Sequence, residues 1–584
     1  MSVCSLSNTS HDKKLDKNNY IEAYINTKVD KERSIPFGFT SSVDKSGNSN
    51  MYMHGFQDLE QGIPFKEDSI YRMASQSKFM GTTAFLKLID KGLVDWSAPL
   101  SKYLPEYSSD HIKVINPYIS HKKIRVLSDG IYTTVDSNII YIRKSFNDNS
   151  DDDLREGDYI SLEWANGNLN NAEFKLPEIN GIPGFELFNI HKIVKADKKG
   201  YNIVLHTKAN TTGYCGKYIK IIKVEKGVLR SICFSPDKMF INPKISTYYY
   251  TLQPLKRELT ILDVLTHGIG WVYYSSALLY ACFGYQSDSI KSNIQAGIWN
   301  ELGIPVGVPR NYYKCGIREW VRLASNVPLL YQPGEDWSYG PQLSILGALI
   351  EIIDGRSVNE YMKEELWKPL GMNNTGFFDP NEEKLCKLYV NMPRIVLKFM
   401  GDDILEQFPP VFEANNCLTE GPRTLCLIDC GMYTTVNDYL KFLKMFLTKN
   451  NGILSDEMIK IISTYETCYD VSNLSSISSY ISSGQDEIKR EKLLKDIKWG
   501  LGVGVMKGCK AIPGNKDNEN ELAITWGGVL GTRFLIDFCA GVAYNVGTNV
   551  IGPPAGTFDS DLIELNYKPM NKSDYDLILA ELVL

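Results

Sequence analysis

Apolar positions recur along this chain with two different periods. Between residues 79 and 91 they come in pairs, Phe79/Met80, Phe85/Leu86 and Leu88/Ile89, which paints one face of a helix. Gly92 supplies the left-handed stop. The same period predicts a helix over 343–354, with Pro341 suited to its first turn and Gly355 at its end, and another over 439–447. Residues 20–29 fit a first helix. Strands are predicted over 35–55, two of them joined at the turn Asp44-Lys-Ser-Gly47, and again at 499–505, 522–526, 532–537 and 541–546. Gly500-x-Gly502-x-Gly504 is not a dinucleotide fingerprint, because the third-glycine spacing and the following helix are missing. Its alternation with Leu501, Val503 and Val505 is that of a tightly packed strand.

From 107 to 253 the helical period disappears. Short β-branched and aromatic runs alternate with turns there: Ile139-Ile-Tyr-Ile-Arg143, Asp158-Tyr-Ile-Ser-Leu162, Tyr201-Asn-Ile-Val-Leu-His206 and Tyr218-Ile-Lys-Ile-Ile222. An acidic loop, 147–153, lies between two of them. The expected organisation is a flexible polar tail at 1–17, a discontinuous main domain at 18–106 and 254–584, and an inserted β-rich domain at 107–253. Residues 474–491, serine-rich and then charged, read as an exposed excursion.

Composition narrows the class. The 584 residues are 43% hydrophobic and 23% charged, as in soluble globular proteins, and can hold more than one core. A net charge of -6 gives no reason to expect nucleic-acid binding. No apolar run approaches the roughly 18 residues of a membrane helix, and the first residues lack a signal-peptide core. Twelve scattered cysteines form no framework, so free thiols in a reducing compartment are expected. The seven histidines show no metal-ligand spacing, so neither metal nor cofactor is expected.

Candidate chemistry sits at the start of the 79–91 helix. Ser75 lies at its N-terminal end and Lys78 one turn later on the same side. A serine hydroxyl needs a base within hydrogen-bond reach before it can attack, and a lysine serves if burial or a neighbouring cation makes it less basic. Free N–H groups at a helix start stabilise developing negative charge. The bare spacing also occurs at Ser10/Lys13, Ser42/Lys45, Ser120/Lys123 and Ser235/Lys238, none of which leads into a comparable amphipathic run.

Six stretches follow one another in an order that resembles the serine β-lactamase and penicillin-binding-protein superfamily. They are Met73-Ala-Ser75-Gln-Ser-Lys78, Leu262-Asp-Val-Leu-Thr-His267-Gly, Pro333-Gly-Glu-Asp-Trp337-Ser-Tyr339-Gly, Lys368-Pro-Leu-Gly-Met372-Asn-Asn-Thr375, Trp499-Gly-Leu-Gly502 and Thr525-Trp526-Gly527-Gly528. The resemblance covers roughly 20–106 and 254–580 and is strongest to the class C-like branch of esterases, transesterases and D-amino-acid peptidases. It implies an α+β fold, an antiparallel sheet flanked by helices plus a helical subdomain. It also implies roles: Ser75 as nucleophile, Lys78 as its base, and Tyr339 as the proton relay to the leaving group, acidified by the charge of Lys78. Trp526, Gly527 and Gly528 would wall the site, and the N–H groups of Val529 and Ser75 would form the oxyanion hole. His267 would support its loop by hydrogen bonding.

Three departures bear on substrate. Pro341 stands where β-lactamases carry an asparagine after the tyrosine, and Trp526 where the third motif usually begins with lysine. Both positions then look like those of esterase and transesterase members, and antibiotic hydrolysis loses support. The usual glycine-rich stretch reads Ile428-Asp429-Cys430-Gly431-Met432-Tyr433, whose bulkier side chains are expected to narrow the cleft. Within the insert, Arg155-Glu-Gly-Asp158-Tyr-Ile, Asn180-Gly-Ile-Pro183-Gly-Phe-Glu-Leu-Phe-Asn189-Ile-His-Lys-Ile-Val194 and Tyr201-Asn-Ile-Val204 resemble a β module of phage and large-virus particle proteins. The expectation is a serine hydrolase or acyltransferase acting on a small ester or amide through an acyl-serine. The alternatives are an idle scaffold, possibly a virus-particle component, and a D-amino-acid or peptidoglycan-type peptidase. A cytoplasmic or virion location and a protein partner for 107–253 go with these readings.

Overall fold

Ser77–Asp90 forms the helix that the apolar pairs predict. It is preceded by a 3-10 turn, Ala74–Gln76, and released at Gly92 with φ +70°. The computed structural model describes residues 17–116, 121–133, 139–144, 159–163, 187–195, 200–205, 213–214, 218–222, 225–235, 238–273, 295, 298–299, 302, 304, 315–390, 424–468, 471, 497–507, 522–551, 558, 561–563 and 565–566. The expected tail at 1–16, the acidic loop 147–153, the excursion 474–491 and part of the insert's likeness (155–158 and 180–186) lie outside the described residues.

The helix Ser77–Asp90 is buried almost all round, because two layers meet on it. One is an eight-stranded antiparallel sheet in the order Ile497–Trp499, Gly504–Lys507, Leu522–Gly528, Thr532–Asp537, Val542–Gly547, Phe37–Asp44, Ser49–Asp58, Ile63–Pro64. Phe79 stacks on Phe534 of that sheet at 5.0 Å between ring centroids, and on Phe446 of the helix Val436–Leu447 at 4.7 Å. The other layer is helical: Ser344–Ile353 packs on Ser77–Asp90 and carries Ile317–Ala324 on its far side. The fold is α+β, an antiparallel sheet flanked by helices, as expected from the sequence.

Most element ends follow the expected signals. Strands Phe37–Asp44 and Ser49–Asp58 turn at Gly47, with φ +91°. Pro341 opens a 3-10 turn before Ser344–Ile353, and Gly355 follows it at φ +89°. One expectation is corrected: 499–505 is not a continuous strand. Gly502 takes φ +71°, Gly500 N–H donates to Val503 O at 2.8 Å, and the chain reverses between two paired strands. A left-handed residue in the middle breaks a strand where mere alternation cannot.

The strands between 121 and 222 join none of the eight. They pair among themselves in a seven-stranded sheet, and Glu225–Ser235, Lys238–Pro254 and Lys113–Asn116 form a three-stranded one. The expected departure at 107 is too early. Tyr107, Ile112, Val114 and Ile115 are buried with the main core, and Tyr107 donates to Val321 O at 2.9 Å. The main core keeps the chain as far as Asn116, which lies opposite Thr251 in an antiparallel pair.

Candidate active site

The turn that carries Ser75 is held by its neighbours in a conformation that a free chain rarely takes. Ala74, just before Ser75, has φ +47°, left-handed for a residue with a Cβ. Such a residue costs on the order of 1–3 kcal/mol and persists where the surroundings over-determine it. Here Met73 N–H donates to Met432 O at 3.0 Å, and Met73 O accepts from the Thr532 hydroxyl at 3.0 Å. Gly528 lies close beneath: a Cβ there would stand 2.5 Å from Met73 O. Strand Leu522–Gly528 therefore reaches the Ser75 turn, and Val529, 39% exposed, follows at its edge.

Lys78 is fully buried. Its Nζ donates to Ser75 Oγ at 3.2 Å, to Tyr273 OH at 2.7 Å and to the Asp429 carbonyl at 3.0 Å. An ammonium has three hydrogens, and these partners use all three. Once Lys78 is an amine, its lone pair is free to receive the Ser75 proton. The nitrogen also stands 4.7 Å from the ring centroids of both Tyr273 and Tyr339, so two aromatic faces replace part of its hydration.

Tyr339 lies beside the lysine but points its hydroxyl elsewhere. Its OH accepts from Trp526 Nε1 at 2.9 Å, and its ring stacks on His267 at 5.4 Å. Trp526 in turn meets Trp499 edge-on at 4.5 Å. His267 is fully buried at φ +59° and takes the Gln342 amide on Nδ1, while Gln342 also donates to Ser338 O at 2.7 Å. Burial and the Lys78 charge hold the imidazole well below its ordinary value, so it stays neutral. It braces the ring of Tyr339 and the loop that carries it.

Behind Lys78 sits a fully buried carboxylate. Asp429 Oδ2 stands 3.9 Å from Lys78 Nζ. Tyr273 OH donates to Oδ2, and Ser344 Oγ donates to Oδ1. Burial first, and then the Asp429 charge, push the Tyr273 phenol well above its usual range, so its proton stays in place. Cys430 is likewise held as a thiol by burial and by Asp429. The expected narrowing of the cleft by 428–433 is not made by its first two positions. Ile428 is buried against Gly81 on the helix Ser77–Asp90, and Asp429 points inward.

A family model described as Beta-lactamase matches residues 38–116 and 235–549. This chain belongs to the β-lactamase family. The segment of the chain between the two matched stretches, 117–234, covers the strands that form the seven-stranded sheet. Among curated relatives, this β-lactamase-family chain is 24% identical over 264 residues to Esterase EstB of Burkholderia gladioli, covering 43% of this chain and 59% of that one. It is 22% identical over 210 residues to lovastatin esterase of Penicillium rubens, covering 36% and 49%. The chain spans about half the length of the curated relatives it matches. Among solved structures it is similar to EstCE1, a hydrolase with promiscuous acyltransferase activity, and to simvastatin synthase (LovD) from Aspergillus terreus. Each has TM-score 0.52 and 15% identity, over 94% of this chain and 98% of the other. At that identity the likeness shows the fold.

Of the residues that sequence reasoning placed in the site of this β-lactamase-family chain, Ser75, Lys78, Tyr339, Trp526 and Gly528 converge on one another. His267 backs Tyr339 from behind. Sequence reasoning missed Tyr273, Asp429 and Ser344. One signal pointed to Asp429: it is the charged residue in the otherwise apolar run Leu425-Cys-Leu-Ile-Asp429-Cys-Gly-Met432. A charge in such a run is either paired or functional. Among the described residues no helix is long and apolar enough to cross a membrane.

Proposed function

We propose that this chain is a serine hydrolase or acyltransferase that acts on small esters or amides through an acyl-Ser75 intermediate. The observation that carries the reading is Lys78 Nζ at 3.2 Å from Ser75 Oγ, with Lys78 fully buried and no other base on the serine among the described residues. As the Oγ–carbonyl bond forms, the serine proton passes to the Lys78 amine. The N–H groups of Ser75 and Val529 receive the oxyanion, where losing one donor costs about 3–4 kcal/mol. Tyr339, held by Trp526 and backed by His267, gives its proton to the departing alkoxide and regains one from the lysine. Water or a second alcohol then takes the acyl group. Esterases among the relatives support the ester preference.

The absence of an amide at Pro341 and of a cation at Trp526 supports esters over β-lactams. A charge-assisted hydrogen bond is worth about 1.5–3 kcal/mol and a neutral one about 0.5–1.5, so the missing cation weakens recognition of the β-lactam carboxylate roughly 10- to 100-fold and the missing amide weakens recognition of its amide roughly 2- to 10-fold. Steady-state assays should therefore show hydrolysis of p-nitrophenyl butyrate with negligible nitrocefin turnover. Comparable rates on both would contradict the reading. One observation favours the idle scaffold instead: every Nζ donor of Lys78 is already in use. Covalent acylation of Ser75 separates the two.

We also propose that 117–250 is a unit of its own that carries no catalytic residue and serves a partner or the cleft entrance. The pairing of Asn116 with Thr251 supports this, because the two ends of the segment are already hydrogen-bonded neighbours. A short turn can join them, and loop-closure cost changes only slowly with length. Replacing 117–250 by a short Gly/Ser turn should give soluble protein that still acylates at Ser75. Insoluble protein from that replacement would contradict independence.

A further inference from the structure

We infer that Asp429 is a positioning residue for acyl transfer, a buried carboxylate that acts on Ser75 through Tyr273 and Lys78. The inference rests on the acyl-Ser75 reading and adds what governs its base. Three contacts tie Asp429 to the lysine. Its carbonyl accepts from Nζ at 3.0 Å, its Oδ2 stands 3.9 Å from Nζ, and the Tyr273 hydroxyl bridges the two by accepting from Nζ and donating to Oδ2. Ser344 fixes the other carboxylate oxygen from the helix behind. Every polar atom of the carboxylate therefore has a partner, as a buried charge requires.

This arrangement does two things to the base. It aims Nζ, because the Tyr273 and Asp429 oxygens take two of its hydrogens and leave the third direction to Ser75. It also sets charge: a carboxylate this close favours the ammonium form of a lysine. When Ser75 Oγ attacks, the Oγ–carbon bond forms, the carbonyl π bond opens to an oxyanion and the serine proton moves to the Lys78 amine. The new ammonium then appears beside a carboxylate already in place. Asp429 thus places its charge where the step creates the new ammonium. Among the described residues, the titratable groups facing the pair are Tyr273, Tyr339, His267 and Cys430. Burial holds His267 neutral, and Tyr273 and Cys430 keep their protons.

The test is the rate of Ser75 phosphonylation by a fluorophosphonate between pH 5 and 9, in the full chain and in Asp429→Asn and Tyr273→Phe. In this reaction the Oγ–P bond forms, fluoride leaves and the serine proton goes to Lys78. Asparagine keeps the shape and can still bond Tyr273 and Ser344. In Asp429→Asn the plateau rate should fall while the acid limb moves to lower pH by about one to three units. In Tyr273→Phe the plateau should fall with the limb in place, because the charge remains. A lower plateau with an unmoved limb in Asp429→Asn means a merely structural role and overturns the inference, with acyl transfer at Ser75 intact. A wild type that never labels removes acyl transfer, and this role with it. Should Asp429→Asn fail to fold, melting decides. Lys78→Met strands the carboxylate, so Lys78→Met/Asp429→Asn should melt above Lys78→Met alone, and a further loss on adding the second change would overturn the pairing.

Discussion

Ser75→Ala should abolish covalent turnover of esters while leaving a folded protein. Loss of the nucleophile in a serine enzyme costs roughly 10^6-fold in turnover, and what remains comes from binding and the oxyanion donors alone. The expected drop is at least about 10^4-fold, the working floor for a weakly active esterase. The fold should tolerate the change. Ser75 is half-buried, and among the described residues its hydroxyl is engaged by Lys78 Nζ. The strained residue of the turn, Ala74, is held by Met432 and Thr532 through Met73, none of which involves the serine side chain. Circular dichroism and thermal melting close to wild type, with acylation gone, is the expected pair of results.

Lys78→Met should be nearly as severe for chemistry and far worse for stability. A positioned general base contributes roughly 10^2- to 10^4-fold, so acylation at neutral pH should fall by that factor. Lys78 is fully buried and stands against the buried Asp429 carboxylate. Removing one partner of such a pair leaves an uncompensated charge and costs about 3–5 kcal/mol. A clear fall in melting temperature should therefore accompany the lost activity, whereas Ser75→Ala shows the second effect without the first. An unchanged melting temperature in Lys78→Met would mean that the pair is not buried as described.

What could be read from the residues was what depends on neighbours in sequence. The nucleophile helix was legible because its apolar pairs, its serine–lysine spacing and its stop at Gly92 all lie within one stretch. The hairpin at Gly47 and the helix entered through Pro341 were legible for the same reason. Gly500–Gly504 was misread because alternation looks the same in a strand and in a tight turn until the left-handed φ of Gly502 is known. The Tyr273–Asp429 hydrogen bond was invisible, since it joins residues 156 apart. Only the oddity of an aspartate in an apolar run marked it. Likewise Tyr339 was found by its motif, but the direction of its hydroxyl, toward Trp526, is set by packing of segments 187 residues apart.

The measurement that bears most directly on an acyl-Ser75 enzyme is intact mass after brief exposure to a fluorophosphonate or to p-nitrophenyl butyrate, with peptide mapping of the product. The account predicts a single adduct on wild type, mapped to Ser75 and absent from Ser75→Ala. An adduct that persists in Ser75→Ala, or none on wild type across pH 5 to 9, would contradict it.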